Sequence, residues 1–311
     1  TIDFDLPADS AYAETCASIG LMLFSSRMWL LNHKKANYDI WEQALLNTVL
    51  SGMGRDGSQF FYVNPLEVVP TTINNNPALS HVKAQRQKWF SVACCPPNIA
   101  RILTSIPGYI FALEDERLFV LSHIGSSFEK GWLYVDLSRK GDNYTLTIDG
   151  KPTEIHLRLP ENTKLSGPQS GMIKDGYFII KHTGGKQVYL YDLIPQIRVL
   201  RAHPNVSDAA GKLCVQRGLT TYCVEGIDNP VSLSALRLSE DAVFSEEKVD
   251  WLDEDMPVLK TTGHVVSVEN WENSLYRSQK SVYESRVITL IPYCQWGNRG
   301  ENEMRVWLTE K

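Results

Sequence analysis

The sequence predicts a multidomain α + β chain in which a helical segment precedes two antiparallel β-sandwich modules. Three observations carry this expectation. Trp41, Ala44, Leu45, Thr48 and Val49 repeat at i, i+3, i+4, i+7 and i+8, an apolar stripe of helical period. From about Tyr109 the texture changes to short apolar or alternating runs, recurring roughly every ten residues between turn signals such as Asp149-Gly150, Asp175-Gly176 and Gly184-Gly185. A polar interval from His203-Pro204-Asn205 to Gly211 then separates these runs into two groups.

Taken in order, Thr1 to Ser10 reads as an extended entry and Ala17 to Asn32 as a long helix. The Trp41 stripe is a second helix ending at Gly52-Met53-Gly54, and Gln59 to Val63 is a short strand after the Asp56-Gly57 turn. Pro70 to Gln87, with Asn74-Asn75-Asn76, reads as a polar loop of the length expected of a lid or rim. Strands are expected at Leu118–Leu121, Trp132–Val135, Tyr144–Ile148, Ile155–Leu159, Tyr177–Ile180 and Gln187–Leu190. After the polar joint they resume at Thr220–Val224, Val265–Val268, Arg286–Ile291 and Met304–Leu308.

Composition narrows the function classes. With 43% hydrophobic and 22% charged residues the chain is that of an ordinary globular protein, and 311 residues leave room for two or three cores. Thirty-one basic against 36 acidic residues give a net charge of −5 without a basic run, which argues against nucleic acid as a partner. No apolar stretch approaches the ~20 residues of a membrane span, and no signal-peptide pattern follows Thr1. Six cysteines are too sparse for a disulfide scaffold, so a reducing, cytoplasmic setting is expected.

The chemistry-bearing stretch is Cys94-Cys95-Pro96-Pro97-Asn98. Pro96 biases Cys95 toward an extended backbone, and Pro97 suits the first turn of a helix running through Ile99, Ile102 and Leu103. Both thiols are then placed at a helix N-terminus, where the dipole favours thiolate. Glu14 and Cys16 lie two residues apart and face one point only if the backbone there is not yet helical. Glu14, Cys16, Cys94 and Cys95 together would make a tetrahedral zinc site of one carboxylate and three thiolates. Spacing alone leaves this open beside a second reading, buried cysteines packed as small hydrophobes.

Glu14-Thr15-Cys16-Ala17-Ser18, Tyr62-Val63-Asn64 and Cys94-Cys95-Pro96-Pro97-Asn98-Ile99-Ala100-Arg101 resemble the catalytic-domain motifs of glycoside hydrolase family 127, the retaining β-L-arabinofuranosidases. The similarity continues through Arg217–Gly226 and Ile291–Gly300, so it covers essentially the whole chain. The resemblance implies the C-terminal portion of an (α/α)6 barrel over residues 1–110, followed by β-sandwich domains over 111–210 and 211–311. It implies Zn2+ held by Glu14, Cys16, Cys94 and Cys95, Cys94 as nucleophile through a glycosyl-thioether, and Tyr62 in the sugar pocket. The family's acid/base glutamate falls upstream of Thr1 in this register, so the expectation is a chain that lacks the acid/base part and needs the N-terminal part of the barrel as partner.

The expected substrate is a small oligosaccharide or glycoconjugate giving up L-arabinofuranose or a related sugar. The alternatives are a non-catalytic zinc-stabilised carbohydrate-binding or structural protein, and a thiol redox protein using Cys94-Cys95. The last β module is the surface expected to serve a homodimer, and no motif in it marks an interface. Glu67 reads as a solvated loop carboxylate, His81 as a surface histidine, and Cys214, Cys223 and Cys294 as small core residues. Trp296 and Trp307 are expected to pack in a core or between domains.

Overall fold

The computed structural model describes residues 2–167, 170–269, 271 and 274–311. Its helices lie in the first third of the chain: α1 (Thr15–Asn32), α2 (Lys35–Ala44), the short α3 (Pro70–Asn75) and α4 (Cys95–Ser105). α1 closes at His33, whose left-handed backbone (φ 51°) lets its N–H reach the Trp29 carbonyl at 2.7 Å. Trp41, Ala44, Leu45 and Val49 of the stripe are buried as expected and Thr48 is half-buried, but the second half, Leu45–Val49, is a π-helical turn. Asn47 in that turn grips a distant hairpin, donating to the Leu219 carbonyl (2.9 Å) and accepting from the Thr221 N–H (2.8 Å).

Two expectations for this third of the chain are corrected. Gln59 to Val63 is not a ladder strand; Phe60 and Val63 make isolated bridges to Met53, Gln87 and Glu14, because the segment serves as a spacer between helices. Pro70 to Gln87 is not a lid. It contains α3 and a 3₁₀ turn, and Ile73, Leu79, Val82 and Ala84 are buried in one cluster with Phe61, Trp296, Met304 and Val306. Arg86 at its end is buried and donates to the carbonyls of Ser51 (2.9 Å) and Trp296 (2.7 Å). A segment held this way has no freedom to open.

The next unit consists of two five-stranded sheets over a shared core. One has the order β2 (Phe111–Glu114), β3 (Arg117–Val120), β7 (Glu154–Arg158), β10 (Tyr177–Lys181), β9 (Met172–Lys174). The other runs β4 (Ser126–Lys130), β5 (Leu133–Lys140), β6 (Asn143–Gly150), β11 (Gly185–Pro195), β8 (Thr163–Ser166). Alternation in β5 and β6 sends Leu133, Val135, Leu137, Leu146 and Ile148 inward to meet Leu118, Val120, Ile155 and Leu157. The outer face of the first sheet receives the helices: Phe119 and Tyr177 are buried with Ile19, Trp29 and Trp41, and the Trp29 indole donates to the Tyr177 hydroxyl at 2.7 Å.

At that seam lies a buried charge cluster. Arg158, fully enclosed, pairs with Asp39 and Glu42 of α2 and donates to the Leu121 carbonyl. Lys35 reaches Asp39 at 2.6 Å, and the Ser122 hydroxyl donates to Glu42 at 2.8 Å. His123 sits beside it, between the Tyr191 hydroxyl (2.9 Å) and the Arg158 carbonyl (2.7 Å). Since a carbonyl only accepts, Nε2 carries the proton and Nδ1 accepts from Tyr191.

The last unit departs from the expected second sandwich. Strands β14 (Thr220–Glu225), β18 (Tyr283–Pro292), β17 (Val258–Val266), β15 (Leu236–Leu238), β20 (Leu308–Glu310) and β13 (Lys212–Arg217) follow one another, and β13 also pairs with β14. The sheet therefore closes on itself, with Leu213, Val215, Val224, Leu236, Leu259, Ile288, Leu290 and Leu308 filling the interior. β12 (Ile197–Arg201) pairs with β13, so the change of sheet falls at Pro195–Gln196 rather than at the 210/211 joint. The strand expected at Val265–Val268 lies earlier, at Val258–Val266, in register with β18. The Met304–Leu308 run splits into β19 (Met304–Arg305) and β20. β19 also pairs with β1 (Glu67–Val68), tying the helical segment to this sheet.

Candidate metal centre

Two chain corners build the site. At the first, Glu14 keeps an extended backbone (φ −66°, ψ 138°) as the residue before α1, and it bridges Val63. The helix begins only at Thr15, which is how Glu14 and Cys16 come to face one point. Thr15 anchors the corner: it is fully buried, its N–H donates to the Tyr62 carbonyl (3.0 Å), and its hydroxyl donates to the Phe61 carbonyl (2.9 Å). Asn64 donates to the Thr15 hydroxyl at 3.0 Å. Gly52 lies so close that a Cβ there would stand 2.6 Å from the Thr15 side chain, which explains a glycine at that turn.

The second corner is the start of α4. The helix opens at Cys95, with Cys94 before it already helical (φ −72°, ψ −32°). The expected extended Cys95 is thus overturned: the bias imposed by Pro96 is small beside the burial of Cys95 and of Ile99 and Ile102 against α1. Pro96 and Pro97 occupy the first turn, where their missing N–H groups would find no helical partner in any case. The helix ends one residue short of Ile106, which starts a 3₁₀ turn with Pro107-Gly108.

These corners bring together all four sequence-expected ligands. The carboxylate of Glu14 and the sulfurs of Cys16, Cys94 and Cys95 lie within 4.8 Å of one another. Cys16 Sγ is 3.6 Å from Cys95 Sγ, Cys94 Sγ is 3.9 Å from Cys95 Sγ, and Cys94 Sγ is 3.5 Å from Glu14 Oε1. A tetrahedral ion about 2.3 Å from each thiolate sets the sulfurs about 3.8 Å apart, so the donors already stand near the edges of such a tetrahedron. The donor set therefore fits a metal ion. Asn98, in the first turn of α4, donates from Nδ2 to Cys16 Sγ at 3.1 Å.

The thiols are not activated by the protein alone. Burial, then the neighbouring Cys16 thiol, push Cys95 well above an ordinary thiol. Cys94 is exposed on one side, yet the protein wall on the other desolvates its sulfur and, with Cys16, raises it too. No Lys or Arg is among the groups acting on the Cys94 or Cys95 sulfur. Only a bound cation would keep these sulfurs as thiolates near neutral pH.

Tyr62 stands beside the cluster, its ring 5.9 Å edge-on from Tyr12 and 6.0 Å from Phe90. The Tyr12 hydroxyl, then burial and the Glu14 carboxylate, keep the Tyr62 phenol protonated well past its usual range. His81 lies against Tyr12, with Nε2 3.4 Å from the Ser10 carbonyl. Tyr12, Tyr62 and Phe90 thus form an aromatic rim.

Other residues singled out from sequence fall elsewhere. Glu67 is not a solvated loop residue: it lies on β1 with both carboxylate oxygens 2.9 Å from the Arg305 guanidinium. Cys214, Cys223 and Cys294 are buried and unbridged, as expected of small core residues. Trp296 is fully buried and stacked on Phe61 at 4.6 Å, and Trp307 packs on the same cluster. Sequence reasoning did not assign roles to Thr15, Asn64 or Asn98. Only Asn98 had a visible signal, a polar side chain directly after two prolines at a helix start.

Comparison with known proteins finds similarity to one glycosidase family. Residues 1–108 match the family model of the β-L-arabinofuranosidase GH127 catalytic domain, and residues 197–309 that of the glycoside hydrolase family 127 C-terminal domain. A non-reducing end β-L-arabinofuranosidase of Bifidobacterium longum subsp. longum is 31% identical over 332 residues, covering 99% of this chain and 50% of that protein. The crystal structure of a GH127 β-L-arabinofuranosidase from Geobacillus stearothermophilus T6 superposes with a TM-score of 0.90 at 36% identity, over 100% of this chain and 52% of its own. A second GH127 β-arabinofuranosidase structure gives 0.83 at 26% identity, over 100% and 51%. The chain spans about half the length of the relatives it matches.

Proposed function

From a chain that belongs to glycoside hydrolase family 127, we propose the nucleophile- and metal-bearing part of a retaining glycosidase that releases L-arabinofuranose or a related sugar from non-reducing ends. The observation that carries this is the convergence of Glu14, Cys16, Cys94 and Cys95 with Cys94 alone exposed. Three thiolates and a carboxylate suit Zn2+ rather than a hard cation. When bound, zinc would supply the positive charge that holds the sulfurs deprotonated at neutral pH.

In this reading Cys95 and Cys16 hold the inner side of the cluster, Glu14 directs Cys94, and Cys94 Sγ faces the open rim. Its lone pair attacks the anomeric carbon; the C–S bond forms as the glycosidic C–O bond breaks and the departing oxygen takes a proton. Water then attacks the same carbon and gives up a proton to the acid/base group, the C–S bond breaks, and the electron pair returns to sulfur, so two inversions leave the configuration retained. Tyr62 with Tyr12 lines the sugar pocket, with the Tyr62 phenol kept neutral as a hydrogen-bond donor.

Proton transfer needs an acid/base group. Glu14, the one carboxylate of the cluster, is engaged as a ligand, so we assign that role to the glutamate that the family resemblance places ahead of Thr1. In the same way, residues 1–110 are read as part of an (α/α)6 barrel whose other helices cover the apolar Leu21, Phe24, Leu30 and Leu31, exposed along α1. Cys94→Ser in the complete natural polypeptide, assayed on an aryl β-L-arabinofuranoside, should lose turnover by about 10³-fold or more. Unchanged turnover overturns the nucleophile assignment. A wild-type polypeptide that binds zinc yet cleaves no arabinofuranoside points instead to a carbohydrate-binding or structural protein.

A further inference from the structure

Three sulfurs share the cluster, and their surroundings differ. Cys95 is fully buried, Cys94 is exposed, and Cys16 is intermediate. Cys16 therefore has enough access to compete with Cys94 as a nucleophile, unless something makes it inert. A helix N-terminus normally supplies free N–H groups to nearby anions. Here that supply is depleted: Pro96 and Pro97 have none, and the Asn98 N–H is taken by the Cys94 carbonyl at 3.2 Å. Among the described residues, one N–H donor reaches a cluster sulfur, the Asn98 side-chain amide at 3.1 Å from Cys16. Its orientation follows from charge, because the amide oxygen turned toward a thiolate would be repelled.

We propose that Asn98 is a positioning residue that selects the reacting sulfur: its amide caps Cys16, making that thiolate a spectator ligand and leaving uncapped Cys94 as the nucleophile. An N–H···S⁻ bond withdraws electron density from sulfur, so the capped thiolate is the weaker nucleophile while still binding the ion. The same bond fixes the Cys16 rotamer, standing in for the backbone donors that the two prolines remove. This inference rests on the metal-bound reading above.

The test uses the complete zinc-loaded polypeptide and two variants. Asn98→Asp keeps the shape but presents oxygen to the sulfur; Asn98→Ala removes the group. Zinc affinity, measured by competition with a chromophoric chelator, should fall about 10–100-fold in both, further in Asn98→Asp. Iodoacetamide should alkylate Cys94 in the wild type but both Cys94 and Cys16 in Asn98→Ala, as mapped by peptide mass. With Co2+ in place of zinc, the thiolate charge-transfer band should shift in both variants. Thermal melts of the variants at saturating zinc separate these effects from a folding defect. If Asn98→Asp matches the wild type in affinity, alkylation pattern and spectrum, the inference falls while the metal site stands. If the wild-type polypeptide binds no zinc or cobalt, the metal-bound reading falls with it.

Discussion

Two of the places where the molecule gathers polar groups from distant segments are built on opposite terms. Around Arg158, two cations, Arg158 and Lys35, face two carboxylates, Asp39 and Glu42; Arg158 also donates to the Leu121 carbonyl, and the Ser122 hydroxyl donates to Glu42. Charge and hydrogen bonds close within the chain, and nothing further is called for. Around Cys94 four groups able to carry negative charge meet with no cation of the chain among them. One cluster is finished by folding; the other, in the reading proposed above, would be finished by an added ion. That distinction, more than burial or residue type, separates a structural polar cluster from a candidate functional one.

The sharpest way to break the contrast is at the finished cluster. Arg158→Met leaves Asp39 and Glu42 buried without their main partner, and should cost about 3–5 kcal/mol in urea unfolding. A loss below 1 kcal/mol would mean that water or Lys35 satisfies the two carboxylates and that the cluster is not closed as described. At the unfinished cluster the expected effect depends on added ion instead. Removing zinc with a chelator from protein held at a hundredfold excess over its dissociation constant should lower stability by ~2.7 kcal/mol. Cys95→Ser should already lack most of that increment and respond little to chelator. Equal chelator sensitivity in both would place the ion elsewhere.

The gentlest change per step is a pH slope. Burial first, and then the Arg158 charge, hold His123 down at about 3 in the folded chain, against 6.5 when free. As pH falls, the unfolded chain takes up this proton first, so stability drains away between about pH 6.5 and 3, by roughly 1.4 kcal/mol per pH unit. His123→Gln should flatten that part of the stability-versus-pH curve relative to wild type. A curve with the same slope would show that His123 does not carry the titration.

The two clusters were not equally legible in the sequence. The cysteine corner has a local signature, a proline pair after two cysteines and a Glu-x-Cys that converges only at a helix edge, but spacing alone left its role open and the family resemblance joined the two halves into one site. The Arg158 cluster has no local signature, since its partners come from a helix and from a strand more than a hundred residues later. Asp39 and Glu42, flanking Trp41 on the buried side of α2, were the available hint. Strand positions in the middle of the chain followed from alternation. The closure of the last sheet did not, because β15, β19 and β20 are two or three residues long and are specified by pairing rather than by pattern.

The Cys16–Cys95 contact spans 79 positions of chain. Closing a loop of that size costs on the order of 4 kcal/mol of chain entropy, which the docking of α4 on α1 through Ile99 and Ile102 must meet before the sulfurs can meet. An ion captured there would act as a clasp, arriving late in folding and holding shut a loop already tied at its far side by Arg86 and β1. During synthesis such a clasp could not close until α4 had emerged, so the Cys16 thiol would wait, uncoordinated, for the rest of its site to be made.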